Sequence, residues 1–262
     1  MTATAQRFNP FRFNGPAARA ASPAAAFLAR LRRLGAIRGE RMTRALMDSL
    51  FRGIDFSGRR VLDVGGGDGV YSFYAAAMGA REVVCLEPEA AGSIGGELSM
   101  FERIRAEMPH LPVRLERQTI AQFQDAEGFD VVAMIASINH LDEAACERLH
   151  KEAPARAAYR QLFAHVASLT RAGGRLIIAD CTRHNFFAAL GLTNPLCPTI
   201  EWEKHQGPAL WARLLQQAGF QRPRVSWEPL YRWGPTVQTL LANKWAAWFL
   251  KSCFRLEVQK PA

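Results

Sequence analysis

The run Val61-Leu62-Asp63-Val64-Gly65-Gly66-Gly67-Asp68-Gly69 carries the strongest chemical signal in the chain. It stands where a short apolar strand gives way to a helix, the position in a βα unit where a loop can cradle a nucleotide. Glycines there let the backbone turn sharply and let a ligand come close. The spacing is G-x-G-x-G over Gly65, Gly67 and Gly69, with Gly66 between them. It differs from the G-x-G-x-x-G that packs a dinucleotide pyrophosphate, which disfavours a nicotinamide cofactor. Asp63 precedes Gly65 by two residues and puts a carboxylate where it can meet an ammonium group. Glu87 closes the next apolar run, and an acid there can accept both hydroxyls of a ribose. A bare turn without a ligand would need Asp63, the glycines and Glu87 to coincide by chance.

These residues need a scaffold, and from residue 59 onward the text alternates strand and helix. Apolar runs predict strands at 60–64, 82–86, 113–116, 130–136, 175–179, about 223–228 and 253–259. Helical patterns fall between them: 70–78 stopped by Gly79, 97–108 ended by Pro109, 142–170 with Pro154 near its middle, and 208–218 capped by Gly219. Gly173 and Gly174 read as the break before the fifth strand. Repeated βα units with short connections predict an α/β fold with a doubly wound, mostly parallel sheet.

With these motifs in place, the chain resembles the class I S-adenosylmethionine-dependent methyltransferases. The resemblance rests on VLDVGGGDGVYS, EVVCLEPE, FDVVAMIASINHLDE, LTRAGGRLIIADC and LWARLLQQAGF, in that order over roughly residues 58–260. It implies a Rossmann-like sheet of seven strands in the order 3-2-1-4-5-7-6, the last antiparallel, and S-adenosyl-L-methionine as cofactor. Asp63, Gly65, Gly66 and Gly67 would line its methionine and ribose end, and Glu87 would hold the ribose. Thr119 and Ile120, in the turn after the third strand, would flank the adenine, and Ala136 would line the cleft at the end of the fourth strand. A frequent acid at the adenine position is Thr119 here, a departure from the common pattern.

Methyl transfer is an in-line displacement, so an enzyme mainly aligns the nucleophile and excludes water. A base is needed only when the nucleophile must lose a proton, as a phenol or alcohol must and a carboxylate need not. The Asn/Asp-Pro-Pro-aromatic turn of many amine and nucleobase methyltransferases is replaced by Ser137-Ile138-Asn139-His140, and the acids of metal-dependent catechol-type enzymes are missing. Glu201 and His205 lie four residues apart but have no third partner, so no metal is expected. Three histidines are candidate bases: His140 after the fourth strand, His184 after the fifth, and His205 in a polar-aromatic cluster. His140 is slightly favoured because the fourth strand end points at the transferring methyl in this fold. All six tryptophans fall between residues 202 and 248, where they either close the core or line a pocket for a lipophilic or aromatic acceptor. The expected function is O-methylation of a small molecule. C- or N-methylation of a metabolite, or a cofactor-binding module without turnover, are the alternatives.

Composition sets the outer bounds. With 49% hydrophobic and 22% charged residues over 262 positions, the chain can bury its own core without disulfide or metal. No apolar run approaches the ~18–20 residues that span a bilayer. The net charge of +9 sits entirely in residues 1–60, which hold twelve arginines and three acids, so the remainder is neutral. A nucleic-acid enzyme usually spreads basic charge over its working face, so nucleic acid is not expected as a partner. The five cysteines show no C-x-x-C and read as buried small hydrophobes in a reducing compartment. No secretory signal is evident, and a cytoplasmic location is expected. The expected division is a flexible basic arm at 1–23, an N-terminal helical cap at 24–57 and a methyltransferase domain at 58–262. The cap predicts two helices, 24–34 and 41–52, the second with Met42, Leu46 and Leu50 on one side. They either pack on the domain or form a lid, and their arginines would also suit peripheral contact with an anionic membrane.

Overall fold

The structure is a computed structural model that describes residues 22–88, 97–231 and 234–262. The proposed basic arm, up to residue 21, and Trp233 lie outside these residues. Seven strands form one sheet in the order β3-β2-β1-β4-β5-β7-β6. They are β1 Arg60–Val64, β2 Glu82–Leu86, β3 Val113–Glu116, β4 Phe129–Ile135, β5 Thr170–Cys181, β6 Gln221–Trp227 and β7 Cys253–Gln259. β1 to β5 are parallel, and β7 enters antiparallel between β5 and β6. This is the architecture the resemblance implies.

Alternation of side chains across each strand divides the core. Leu62, Val64, Val84, Leu86, Val132 and Met134 face one layer, with side chains of helices α5 (Glu143–Arg148), α6 (Ala153–Leu169) and α8 (Pro208–Gln217). Val61, Val83, Cys85, Val131, Ala133 and Ile177 face the other, with α1 (Pro23–Leu34), α2 (Glu40–Leu50), α3 (Val70–Ala77) and α4 (Glu97–Glu107). Phe27, Leu28 and Leu31 of α1 are fully enclosed there, and burial of each contributes roughly 1.5–3 kcal/mol. The two N-terminal helices therefore pack on the sheet face. Arg255 of β7 donates to the Leu50 carbonyl at 2.6 Å, and Ser49 donates to buried Glu228 at 3.0 Å, so α2 is also tied to the far side of the sheet.

Three local expectations change. The buried side of α2 is Thr43, Met47 and Leu50, while Met42 is exposed, because Thr43 turns inward with its hydroxyl on the Gly39 carbonyl. β5 begins at Thr170, and the glycine pair lies within it. The register shifts between Phe129 and Val131, and Gly173 adopts φ +72° where its amide reaches the chain end at Lys260. Pro154 starts α6 at its first turn, where its missing amide costs nothing, so the segment is two helices with a break at 149–152. The cysteines also depart from a scatter of isolated hydrophobes. Cys85 and Cys146 are buried, but Cys181 and Cys253 face each other across β5 and β7 with sulfurs 3.0 Å apart.

Among the described residues no helix is long and apolar enough to cross a membrane.

Candidate active site

The C-terminal ends of β1, β2, β4 and β5 meet at one edge of the sheet. The glycine loop leaves β1 there and is held against β2, since the Gly65 and Gly66 amides both donate to the Leu86 carbonyl (2.8 and 3.1 Å). Gly65, Gly67 and Gly69 take positive φ, the conformation that favours glycine. A Cβ on Gly65 would stand 2.6 Å from Cβ of Ser137, and one on Gly66 would stand 2.4 Å from the Cys85 sulfur. The glycines thus serve the loop's own packing, so enlarging either would distort the loop before any ligand arrives.

Asp63 and Glu87 flank the loop, both buried. Ser72 Oγ donates to Asp63 Oδ2 at 2.6 Å. Burial pushes the Asp63 carboxyl up to about 6, against the Ser72 hydrogen bond, and the neighbouring Asp68 and Glu87 charges push the same way. No basic side chain pairs with Asp63 among the described residues, so the site presents a costly carboxylate that a cationic ligand would relieve. Glu87 Oε2 accepts the Gly67 amide at 2.9 Å, which fixes the carboxylate against the loop. Thr119 is exposed and caps its turn through Gln122, whereas Ile120 is enclosed in the core. Ala136, exposed at the mouth, holds φ +54°, an uncommon conformation for a non-glycine residue and one of the strained positions that gather at functional sites. Beside it Ser137 Oγ donates to the Val64 carbonyl at 2.5 Å and so joins β4 to the glycine loop.

The three histidines differ in setting. His140 is exposed, and its Nδ1 meets Glu143 Oε1 at 2.6 Å. His184 is exposed, and its ring has no hydrogen-bond partner among the described residues. His205 is largely enclosed, and its Nδ1 lies 3.0 Å from Oδ1 of Asp180, which is itself buried. The loop bearing His205 folds back onto α5: Gln206 donates to the Cys146 carbonyl at 2.6 Å, the Cys146 thiol lies on the Lys204 carbonyl, and Lys204 pairs with Glu143 and Glu201. Asp180 Oδ1 also accepts the Cys181 amide at 2.7 Å, while Oδ2 is buried without a partner. Asp180 follows Ala179, whose carbonyl accepts the Ala136 amide at 2.8 Å, so the pair stands beside the β4 end. Sequence reasoning missed Asp180, Ser72 and Ser137. The only available signal for Asp180 was an acid at the end of the fifth strand, twenty-five residues from its partner.

A seven-stranded doubly wound sheet with two buried carboxylates around a glycine loop defines an enzyme of the Rossmann-like, nucleotide-cofactor class. The chain belongs to the family described as a methyltransferase domain, which matches residues 34–224. It is an S-adenosyl-L-methionine-dependent methyltransferase. No curated protein sequence matches it. Among solved structures it is similar to an S-adenosylmethionine-dependent methyltransferase from Mesorhizobium loti (14% identity, TM-score 0.56, 84% of this chain and 98% of that one). It is also similar to one from Aquifex aeolicus (13%, 0.55, 88% and 97%) and to the N-methyltransferase NodS from Bradyrhizobium japonicum (12%, 0.51, 84% and 97%). At these identities the structures establish the fold. The uncompensated Asp63 carboxylate and the glycine cradle fit a cationic cofactor of this kind.

Glu87 gives a direct check on the cofactor site. Glu87→Ala removes a charged acceptor and should weaken S-adenosylmethionine binding by roughly 1.5–3 kcal/mol, about one to two decades in Kd by calorimetry. Glu87→Gln can still accept the Gly67 amide and should lose less. Wild-type affinity in Glu87→Ala would remove this residue from the site.

Proposed function

We propose that the enzyme methylates an oxygen of a small lipophilic or aromatic acceptor, with His205 as the base and Asp180 orienting it. The observation that carries this reading is the enclosed His205–Asp180 pair, 3.0 Å apart. The bound cofactor supplies a methyl already activated on a sulfonium. The protein must place an acceptor oxygen in line with it, keep water away and take the acceptor's proton. With Nδ1–H directed to Asp180, Nε2 of His205 is left as the acceptor, the division of labour that suits a general base. Asp63, Gly65, Gly66, Gly67 and Glu87 hold the cofactor in this reading, with Thr119 and Ala136 along its adenine and methyl sides and Ile120 packing beneath the turn from the core. His140, on the rim with Glu143, and His184 contact the acceptor.

The absence of the Asn/Asp-Pro-Pro-aromatic turn at 137–140 favours oxygen over an amine or nucleobase. Of the six tryptophans, Trp211 is core, while Trp227, Trp245 and Trp248 border one large cleft, which supports an aromatic or apolar acceptor. The chain then needs no nucleic acid, and we place its work in the cytoplasm.

The test is a turnover assay that follows S-adenosylhomocysteine release with paired acceptors, a phenol and the matching aniline. Release with the phenol, lost in His205→Ala, is the expected result. Faster turnover of the aniline, with no dependence on His205, would move the reading to nitrogen.

A further inference from the structure

A cleft of about 1220 Å³ opens next to the proposed dyad, since its lining residues Thr182 and Gln206 are near neighbours of Asp180 and His205. It is large for a small-molecule site. Its walls carry Arg156 and Arg160 from one side of α6, Arg183 after β5, Arg213 of α8 and Lys244 at the start of α10 (Lys244–Phe249). Among the described residues no Asp or Glu lines it. Elsewhere on this surface arginines sit in carboxylate pairs, such as Arg44 with Asp48 at 2.9 Å and Arg148 with Glu152 at 3.3 Å. None of the five cleft cations has such a partner among the described residues. Arg156 donates to the Leu149 carbonyl, and Arg183 lies on His150 at 2.7 Å. Desolvation and the Arg183 and Lys151 charges hold the His150 imidazole below the usual histidine range, consistent with a positive field at this wall. Apolar side chains, among them Leu210, Leu214, Val225 and three tryptophans, line the cleft beside the polar His184 and Gln217.

Five cations lining one cleft without carboxylate partners among the described residues give it a positive potential that attracts an anion. The body of the chain from residue 61 on is electrically neutral, so the cluster does not come from a general excess of base. We propose that the cleft is an anion-anchoring acceptor site, and that the acceptor is an amphiphile bearing a carboxylate or similar anion on an apolar or aromatic body. The cations hold the anion and the tryptophans hold the body, while the hydroxyl to be methylated lies toward His205. This deepens the proposed function and rests on it only for that last placement. The binding step can be tested without it.

The probes are 2-naphthoate and its neutral amide, 2-naphthamide, followed by quenching of tryptophan fluorescence in the full chain. The naphthoate should bind about tenfold or more tightly than the amide, and the preference should shrink as salt rises from 20 to 300 mM, conditions chosen across the Debye-screening range. Arg160→Glu/Arg213→Glu, at two exposed positions with no protein hydrogen bond to lose, should abolish the preference and leave the calorimetric affinity for S-adenosylmethionine unchanged. Equal binding of acid and amide, or an unaltered preference in the double variant, would overturn the anion site. So would binding to vesicles of phosphatidylglycerol with no preference for the free carboxylate, which would mark a membrane-facing surface. If S-adenosylmethionine fails to bind while the naphthoate preference holds, the methyl-transfer reading falls and the anion site stands.

Discussion

Asp63→Asn should make the ligand-free protein more stable at pH 7.5 and at the same time weaken S-adenosylmethionine binding by about tenfold to a hundredfold or more. The two effects share one cause. The Asp63 carboxyl is buried, and its pKa is raised to about 6 in the fold from an ordinary value of 3.8. A raised carboxyl pKa means that the folded state holds the proton more tightly than the unfolded chain does. Stability from this group is complete below pH 4 and declines as pH rises through 6, by about 3 kcal/mol in all. Asparagine carries no charge at any pH, and its side-chain oxygen can still accept from Ser72, so this loss should vanish. Scans of Tm between pH 4 and 8 check it. Wild type and variant should match at pH 4 and diverge in favour of the variant by pH 7.5. The other carboxylates are common to both proteins and cancel in the difference. Binding should move in the opposite direction. The ionised Asp63 is the form that attracts a cationic ligand, so wild-type affinity should rise with pH up to about 6 and level off, and the variant should show no such step. Equal stability at both pH values would mean that water or a neighbouring cation already compensates Asp63.

Much of this site was legible because its signals are local. Asp63, the glycines and Glu87 lie within twenty-five residues at the ends of two adjacent strands built mainly of apolar residues, so the pattern placed them at one sheet edge. What remained hidden depends on contacts distant in sequence. Asp180 and His205 meet only because Gln206 and Cys146 fold the 201–207 loop onto α5. Cys181 and Cys253 are seventy-two residues apart and become neighbours only once β7 inserts antiparallel beside β5. Thr43 outcompeted Met42 for the inner side of α2 because its hydroxyl is satisfied locally, which a count of apolar residues ignores. The glycine pair at 173–174 illustrates a different ambiguity. Glycines that end one element and glycines that bulge inside another look alike until the partner strand is known.

The enclosed pair at the β5 end gives the largest expected change in rate. His205→Ala should lower kcat by about 10²–10⁴ with little change in cofactor affinity, because a general base contributes in that range and His205 is not among the groups around the glycine loop. Asp180→Asn is the sharper experiment. In the proposed mechanism the carboxylate accepts Nδ1–H and leaves Nε2 free to take the acceptor's proton. An asparagine amide can instead donate to Nδ1, which places the ring proton on Nε2 and blocks it as a base. Asp180 Oδ1, 3.0 Å from Nδ1, also stands beside the ring where positive charge would develop. Asp180→Asn should therefore lose nearly as much kcat as His205→Ala, though it leaves the histidine present. In the wild type kcat should fall on acidification, since a protonated imidazole cannot accept, and in both variants the residual rate should lose that dependence. His140→Ala should have the smaller effect, because that ring sits in solvent and its bond to Glu143 is screened there. A large loss in His140→Ala with the Asp180 variant near wild type would move the base to the β4 end. Flat pH profiles and near-wild-type kcat in all three variants would leave no proton to remove, and the methylated group would then be a carboxylate, already ionised and needing only alignment.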